Sequence, residues 1–447
     1  MAAKVKDMTT GSPWKLILLF VLPLMAGNVC QQLYTMVDTM VVGQIVGVEA
    51  LAALGAVEWI MWLVLGISSG MAQGFGILVA QLYGAKNKEE LKRAVAHSYM
   101  LMAVIVVFVL IISQVCAHVL LVLLDTPDNV IDMSLSYLRI VFWGIPVIAV
   151  YNIFAAILRA LGNSRTPLTA MVIAAGMNVG LDILFVAKFR WGVQGAAAAT
   201  VTAQAFSAIY CFITVHKIDL LSLTGEDFER NKSLDLKLLH LGAPIIFQDL
   251  TISLGGLVVQ YVVNGYGFLF VAGFTATNKL YGVLEMAAIS YGYAIVTYVG
   301  QNLGAGKIDR IRKGVRASGV IAFLTSVVIA LGMLFFGKNL LSLFISGTPK
   351  QTSQVLAIAF RYLSIMAICL CILYFLYVYR SALQGLGNTT IPMISGIVEF
   401  FMRVGVVMIL PKFIGENGIF YAEVVAWTGA AVLLAFFYYK DIRKIIL

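Results

Sequence analysis

Long apolar stretches follow one another along the chain, and polar residues gather in the short gaps between them. A bilayer's hydrocarbon core takes roughly 20 apolar helical residues to cross. Twelve stretches near or above that length are predicted as membrane-spanning helices, at about 16–42, 50–82, 95–123, 132–158, 167–187, 193–216, 238–264, 270–302, 315–345, 354–379, 391–412 and 418–439. Each is closed by glycine, proline or basic residues. The only long polar connector, "KIDLLSLTGEDFERNKSLDLK" at 217–237, falls at mid-chain. It predicts an N-terminal six-helix lobe at 1–216, a cytoplasmic linker at 217–237 and a C-terminal six-helix lobe at 238–447.

The two halves repeat. "AQLYGAK" at 80–86 is matched 220 residues later by "GQNLGAG", "LRALGNSRTP" at 158–167 is matched 225 later by "LQGLGNTTIP", and "VQGAAAA" at 193–199 is matched 223 later by "ENGIFYA". Three matches in one order at nearly one offset point to duplication. Six crossings bring the chain back to the side it started from, so the repeats are expected to be parallel, related by a pseudo-two-fold axis along the membrane normal. The predicted fold class is an all-α polytopic membrane protein of twelve transmembrane helices in two six-helix lobes.

Composition agrees. Of 447 residues 61% are hydrophobic and 12% charged, about half the charged share of an ordinary soluble domain. The net charge of +9 does not indicate nucleic acid, because the basic residues sit between apolar spans as topology signals. Twenty-two Lys and Arg, among them Lys4, Arg159, Arg230, Arg380 and Lys444, fall on the side that holds both termini. Lys188, Arg190, Lys338, Lys350 and Lys412 fall on the other. The positive-inside rule then places both termini in the cytoplasm, and the expected location is the inner (plasma) membrane. The five cysteines and four histidines have no metal-type spacing.

The "VDT" of Asp38, "YLRI" at Tyr137, "LRALGNSRTP", "NVGLD" at 178–182, "GQNLGAGK" and "ALQGLGNTTIP" together resemble the multidrug and toxic compound extrusion (MATE) family over essentially the whole chain. The resemblance implies two lobes around a central cavity and antiport of cationic or amphipathic drugs against Na⁺ or H⁺. Flippases for lipid-linked oligosaccharides share the fold and are the near alternative.

Polar residues at bilayer depth are costly and face a cavity or a partner. In "GMNVGLDILF" at 176–185, Asn178 and Asp182 are four apart, so they share one helical face with Cβ atoms roughly 5–6 Å apart. Two oxygen-bearing side chains at that spacing can share a small hard cation, or can simply hold helices together. Carried over from the resemblance, five positions match a cation site of one prokaryotic branch: Asp38, Asn178, Asp182, Ala196 through its carbonyl, and Thr200. Na⁺ would lie at Asp38, Asn178, Asp182 and Thr200. The second half has Arg403 and Val407 at the equivalents of Asn178 and Asp182, so the site is expected in the N-terminal lobe alone. Carboxylates also take protons, so Na⁺ and H⁺ both stand as coupling ions, with no other cofactor.

Glu399 and Arg403 make a second i,i+4 pair, in the favourable order, and either neutralise each other or line a substrate cavity with Glu285. Asp249, Glu58 and Lys279 are weaker candidates. "GISSG" at 66–70 fits a nucleophile-elbow pattern but lies in an apolar span without strand-turn-helix context. Gly66, Gly70 and Gly74 instead predict a small-residue packing face. A channel would favour symmetric pore-lining rings, and no enzyme motif survives. The expectation is a monomeric secondary exporter of small drug-like molecules, working by alternating access.

Overall fold

A segment within hydrocarbon has no water to satisfy its peptide groups and must close them internally. The computed structural model, which describes residues 5–124, 126–345 and 349–446, is accordingly built from helices, with no strand among the described residues. In the first half these are α1 (Pro13–Ile45), α2 (Val48–Gly84), α3 (Lys88–Leu123), α4 (Asp128–Trp143), α5 (Ile145–Ala160), α6 (Arg165–Asp182) and α7 (Gly192–His216). The second half holds α8 (Lys232–Asn264), α9 (Phe268–Gly304), α10 (Ile308–Ser342), α11 (Pro349–Ile368), α12 (Leu370–Gly385), α13 (Thr390–Ile409), the single turn α14 (Pro411–Ile414) and α15 (Ala422–Ile446).

Among the described residues nine helical stretches are long and apolar enough to cross a membrane, and eleven if each of two bent pairs is one span. One of the nine, Thr390–Ile445, is 56 residues long. At 1.5 Å per residue it would be about 84 Å, far more than a bilayer's thickness. It doubles back instead: α13 and α15 pack against each other through the turn at 410–421. Counting them separately gives the twelve predicted spans. The bends were not predicted. Span four breaks between α4 and α5 by 47°, and span ten breaks between α11 and α12 by 48°.

The duplication is written into the backbone as well. Left-handed φ values occur at Gly47 and Gly267, Lys86 and Gly306, Gly162 and Gly387, and Gly192 and Gly415, four pairs at separations of 220 to 225. Gly162 shows why one of these must lack a side chain, since a Cβ there would lie 2.1 Å from the Lys6 carbonyl oxygen. The asparagine after each of Gly162 and Gly387 caps the following helix, Asn163 on the Thr166 N–H at 3.0 Å and Asn388 on the Ile391 N–H at 3.2 Å.

The chain forms two compact units, one of residues 1–8 and 22–246, the other of 9–21 and 247–447. Two of the three changes of unit fall beside a proline inside a helix, Pro23 in α1 and Pro244 in α8. Proline removes an i→i−4 hydrogen bond and weakens the helix at that point. The segment after α7 is ordered on α3. His97 holds Asp235 at 2.6 Å through Nδ1 and the Glu229 carbonyl at 3.0 Å through Nε2, and Thr224 and Asp227 form a capping box.

Packing corrects two expectations. A Cβ on Gly74 would meet the Gly242 Cα at 2.3 Å and one on Gly70 would meet Ile246, but one on Gly66 meets nothing within 4 Å. The close-packed face therefore has two of the three predicted glycines. Arg380, assigned above to a basic loop, is 4% exposed within α12. Lys4 lies outside the described residues.

Candidate functional site

Within the first unit, α1, α6 and α7 carry the five predicted site residues, and four of them are linked: Asn178 to Thr200 by a hydrogen bond, and Asp38 to Asp182 electrostatically. Asn178 and Asp182 stand on successive turns at the end of α6, and both are fully buried. The Asn178 amide donates from Nδ2 to Thr200 Oγ1 on α7 at 3.4 Å. Ala196, one turn before Thr200, is also fully buried. Asp38 on α1 is 6% exposed and lies within electrostatic reach of Asp182. After Asp182 the chain continues as a π-helical turn, Ile183–Lys188, a wide-ring conformation found often at functional sites.

The acceptors in this region are unsatisfied. Asp38 Oδ1, Asn178 Oδ1 and both carboxylate oxygens of Asp182 are buried without a hydrogen-bond donor. Neither aspartate forms an ion pair among the described residues. Buried carboxylates are normally paired or coordinated. Two acidic groups with four donor-less oxygens between them and Asn178 therefore suit an oxygen-seeking monovalent cation, or protons, and Na⁺ fits the donor set.

Two further residues complete the region and escaped sequence reasoning. Gln204 of α7 donates from Nε2 to the Tyr34 hydroxyl at 3.3 Å, one turn before Asp38 on α1. Tyr34 and Tyr137, the latter on α4, both lie within electrostatic reach of Asp38 and Asp182. The i,i+4 relation of Tyr34 to Asp38 was visible in the sequence, but tyrosine is common in apolar spans and gave no signal by itself.

The second unit holds a different polar cluster. The expected Glu399–Arg403 pair is replaced by two interhelical ion pairs: Glu399 with Arg380 of α12, and Arg403 with Glu423 of α15 at 2.7 Å. Arg403 also donates to the Ile252 carbonyl at 3.0 Å. Two of the three predicted cavity residues, Glu399 and Arg403, are thus buried and neutralised by neighbours on other helices. Two acidic groups nearby have no ion pair among the described residues. Glu285 accepts from the Tyr377 hydroxyl at 3.1 Å, and Asp249 accepts from Gln248 at 3.4 Å. Tyr377 also lies against the Arg380 guanidinium, 5.6 Å from ring centroid to Cζ.

Residues 23–184 and 244–409 each match the MatE family model, one match in each half. A probable multidrug resistance protein of Bacillus subtilis, YpnP, is 30% identical over 93% of this chain and 92% of its own length. A second from the same organism, YoeA, is 29% identical over 77% of this chain and 76% of its own. Among solved structures, a MOP superfamily transporter from Pyrococcus furiosus superposes with a TM-score of 0.94 at 22% identity, covering 100% of both chains.

Proposed function

From the chain's place in the MATE family of membrane transporters, to which it belongs, we propose that it is an antiporter that exports cationic or amphipathic small molecules against Na⁺ or H⁺. The observation that carries the ion-coupled reading is the set of donor-less buried oxygens on Asp38, Asn178 and Asp182, beside Thr200. In one conformation a cation or protons neutralise the two aspartates. Their release leaves two like charges in a medium of low dielectric, which raises the energy of that packing and favours another. This gives the ion a differential affinity for two states, the minimum that coupling requires.

The names of the Bacillus relatives support a drug-like substrate. Cationic charge is supported by Glu285 and Asp249, left over when Arg380 and Arg403 are consumed in ion pairs, and by the aromatic faces of Tyr281 and Tyr377 beside them, which favour cations. The same surplus weighs against an anionic lipid-linked sugar. With Arg380 removed from the loops, twenty-one basic residues remain against five, which supports cytoplasmic termini in the plasma membrane. Both polar regions lie within one chain, in keeping with a monomer.

The test is dye efflux from liposomes holding the purified protein, with a Na⁺ gradient and a pH gradient imposed separately. One gradient should drive export, and Asp38→Asn should abolish it. Export that needs neither gradient, or that survives Asp38→Asn, overturns ion coupling at this site.

A further inference from the structure

A cavity of about 740 Å³ opens in the second unit between α10, α12 and α15, with no residue of either polar cluster in its lining. Its lining is divided by chemistry. Arg312 and Arg316, in the first turns of α10, and Arg443, in the last turn of α15, stand at one end. Because α10 begins where α15 ends, all three guanidiniums belong to the membrane face that carries the C-terminus. The rest is apolar: Phe323 stacks with Phe375 at 6.3 Å, and Val320 and Leu324 stand beside them, 60% and 57% exposed.

None of the three arginines has an ion-pair partner among the described residues. The acidic residue closest to Arg443 in sequence, Asp441, is taken by the Asn388 amide at 2.8 Å. Between the arginines and the apolar floor, the Tyr379 and Tyr439 hydroxyls lie 3.3 Å apart, and Tyr438 is within electrostatic reach of Arg312 and Arg316. Guanidiniums that only snorkel from a helix end into the headgroup layer need no concavity. Here three of them share a cavity with aromatic hydroxyls and an apolar floor.

The floor continues along α10. Val320, Leu324, Val327, Val328 and Leu331 form an exposed apolar stripe at helical spacing. From Arg316 to Val328 is about 18 Å of helix, about the depth of one leaflet, whose hydrocarbon is roughly 15 Å thick. Charge, hydroxyls and acyl-length stripe follow one another in the order of a phospholipid's own parts. We infer that this cavity binds one anionic phospholipid, its phosphate held by Arg312, Arg316 and Arg443 and an acyl chain lying over Phe323 and along α10. Arginine's planar fork suits a phosphate held by two parallel hydrogen bonds, and basic pockets between membrane helices are a known way to select anionic headgroups.

Native mass spectrometry of the delipidated full-length protein, titrated with phosphatidylglycerol or phosphatidylcholine of equal chain length, tests this. Each basic side chain is worth roughly fivefold toward an anionic headgroup, so phosphatidylglycerol should bind on the order of 100-fold more tightly. Arg312→Gln with Arg316→Gln and Arg443→Gln should remove that preference, while phosphatidylcholine retention stays as it was. Arg443→Gln alone should weaken phosphatidylglycerol about fivefold, and it serves if the triple variant does not fold. Glycerol 3-phosphate should fail to displace the lipid. Equal retention of the two lipids by the unaltered protein, or a preference that survives the substitutions, overturns the proposal. Displacement by glycerol 3-phosphate would assign the site to a soluble phosphate and overturn the lipid.

Discussion

Asn178 gives one amide hydrogen to Thr200 across 3.4 Å and keeps its carbonyl oxygen without a donor. The bond fixes which way the amide faces. The nitrogen goes to α7, and the oxygen is left buried, on the same helical face as Asp182 one turn on.

That arrangement separates neutral ligands from charged ones. Asn178→Ala and Thr200→Ala each remove a neutral oxygen, which Na⁺ needs and a proton does not. If Na⁺ drives export, each should raise the Na⁺ concentration for half-maximal efflux by about tenfold, the equivalent of roughly 1.4 kcal/mol of binding. Asp38→Asn and Asp182→Asn should abolish driven efflux outright with the protein still folded. Liposome assays at matched protein content decide it, and gradient-dependent efflux by either Asp variant removes the coupling role.

The Arg380–Glu399 pair is both buried and interhelical. Glu399→Gln leaves a buried guanidinium uncompensated, and breaking a pair in this way costs about 3–5 kcal/mol. Replacing both partners with apolar residues, Arg380→Met with Glu399→Leu, should recover most of that loss. Thermal melting of the purified variants in detergent measures it. A single variant as stable as the parent would mean that the pair does not stabilise the second unit.

Gly74 and Gly66 lie on one helix but differ in surroundings. Gly74→Ala puts a methyl 2.3 Å from the Gly242 Cα, whereas Gly66→Ala meets open space. The first should sharply reduce folded yield in size-exclusion profiles. The second should be neutral or stabilising by about 0.5–1 kcal/mol, because alanine restricts the unfolded chain.

Both ring nitrogens of His97 face acceptors, the Asp235 carboxylate and the Glu229 carbonyl. His97→Phe fills the space without donors, so residues 217–231 should become several-fold more sensitive to limited proteolysis. Unchanged cleavage would mean that other contacts hold the segment on α3.

Much of the molecule was legible in the sequence. The twelve spans and the duplication depend on segment hydropathy and local turn chemistry, which each stretch carries by itself. The Asn178–Asp182 face follows from helix geometry, and in the first unit Asn178 meets Thr200 while Asp38 lies within electrostatic reach of Asp182. What the sequence left open is how each helix is rotated and what it meets. A span is equally apolar whichever side faces lipid, so association rests on close packing and interhelical polar contacts. Only the tertiary structure decided that Glu399 pairs with Arg380 and Arg403 with Glu423 rather than with each other, that Tyr34 and Gln204 join the cation region, and that Gly74 packs where Gly66 does not. Each of these is a contact between helices distant in the chain, set by packing that no single helix encodes.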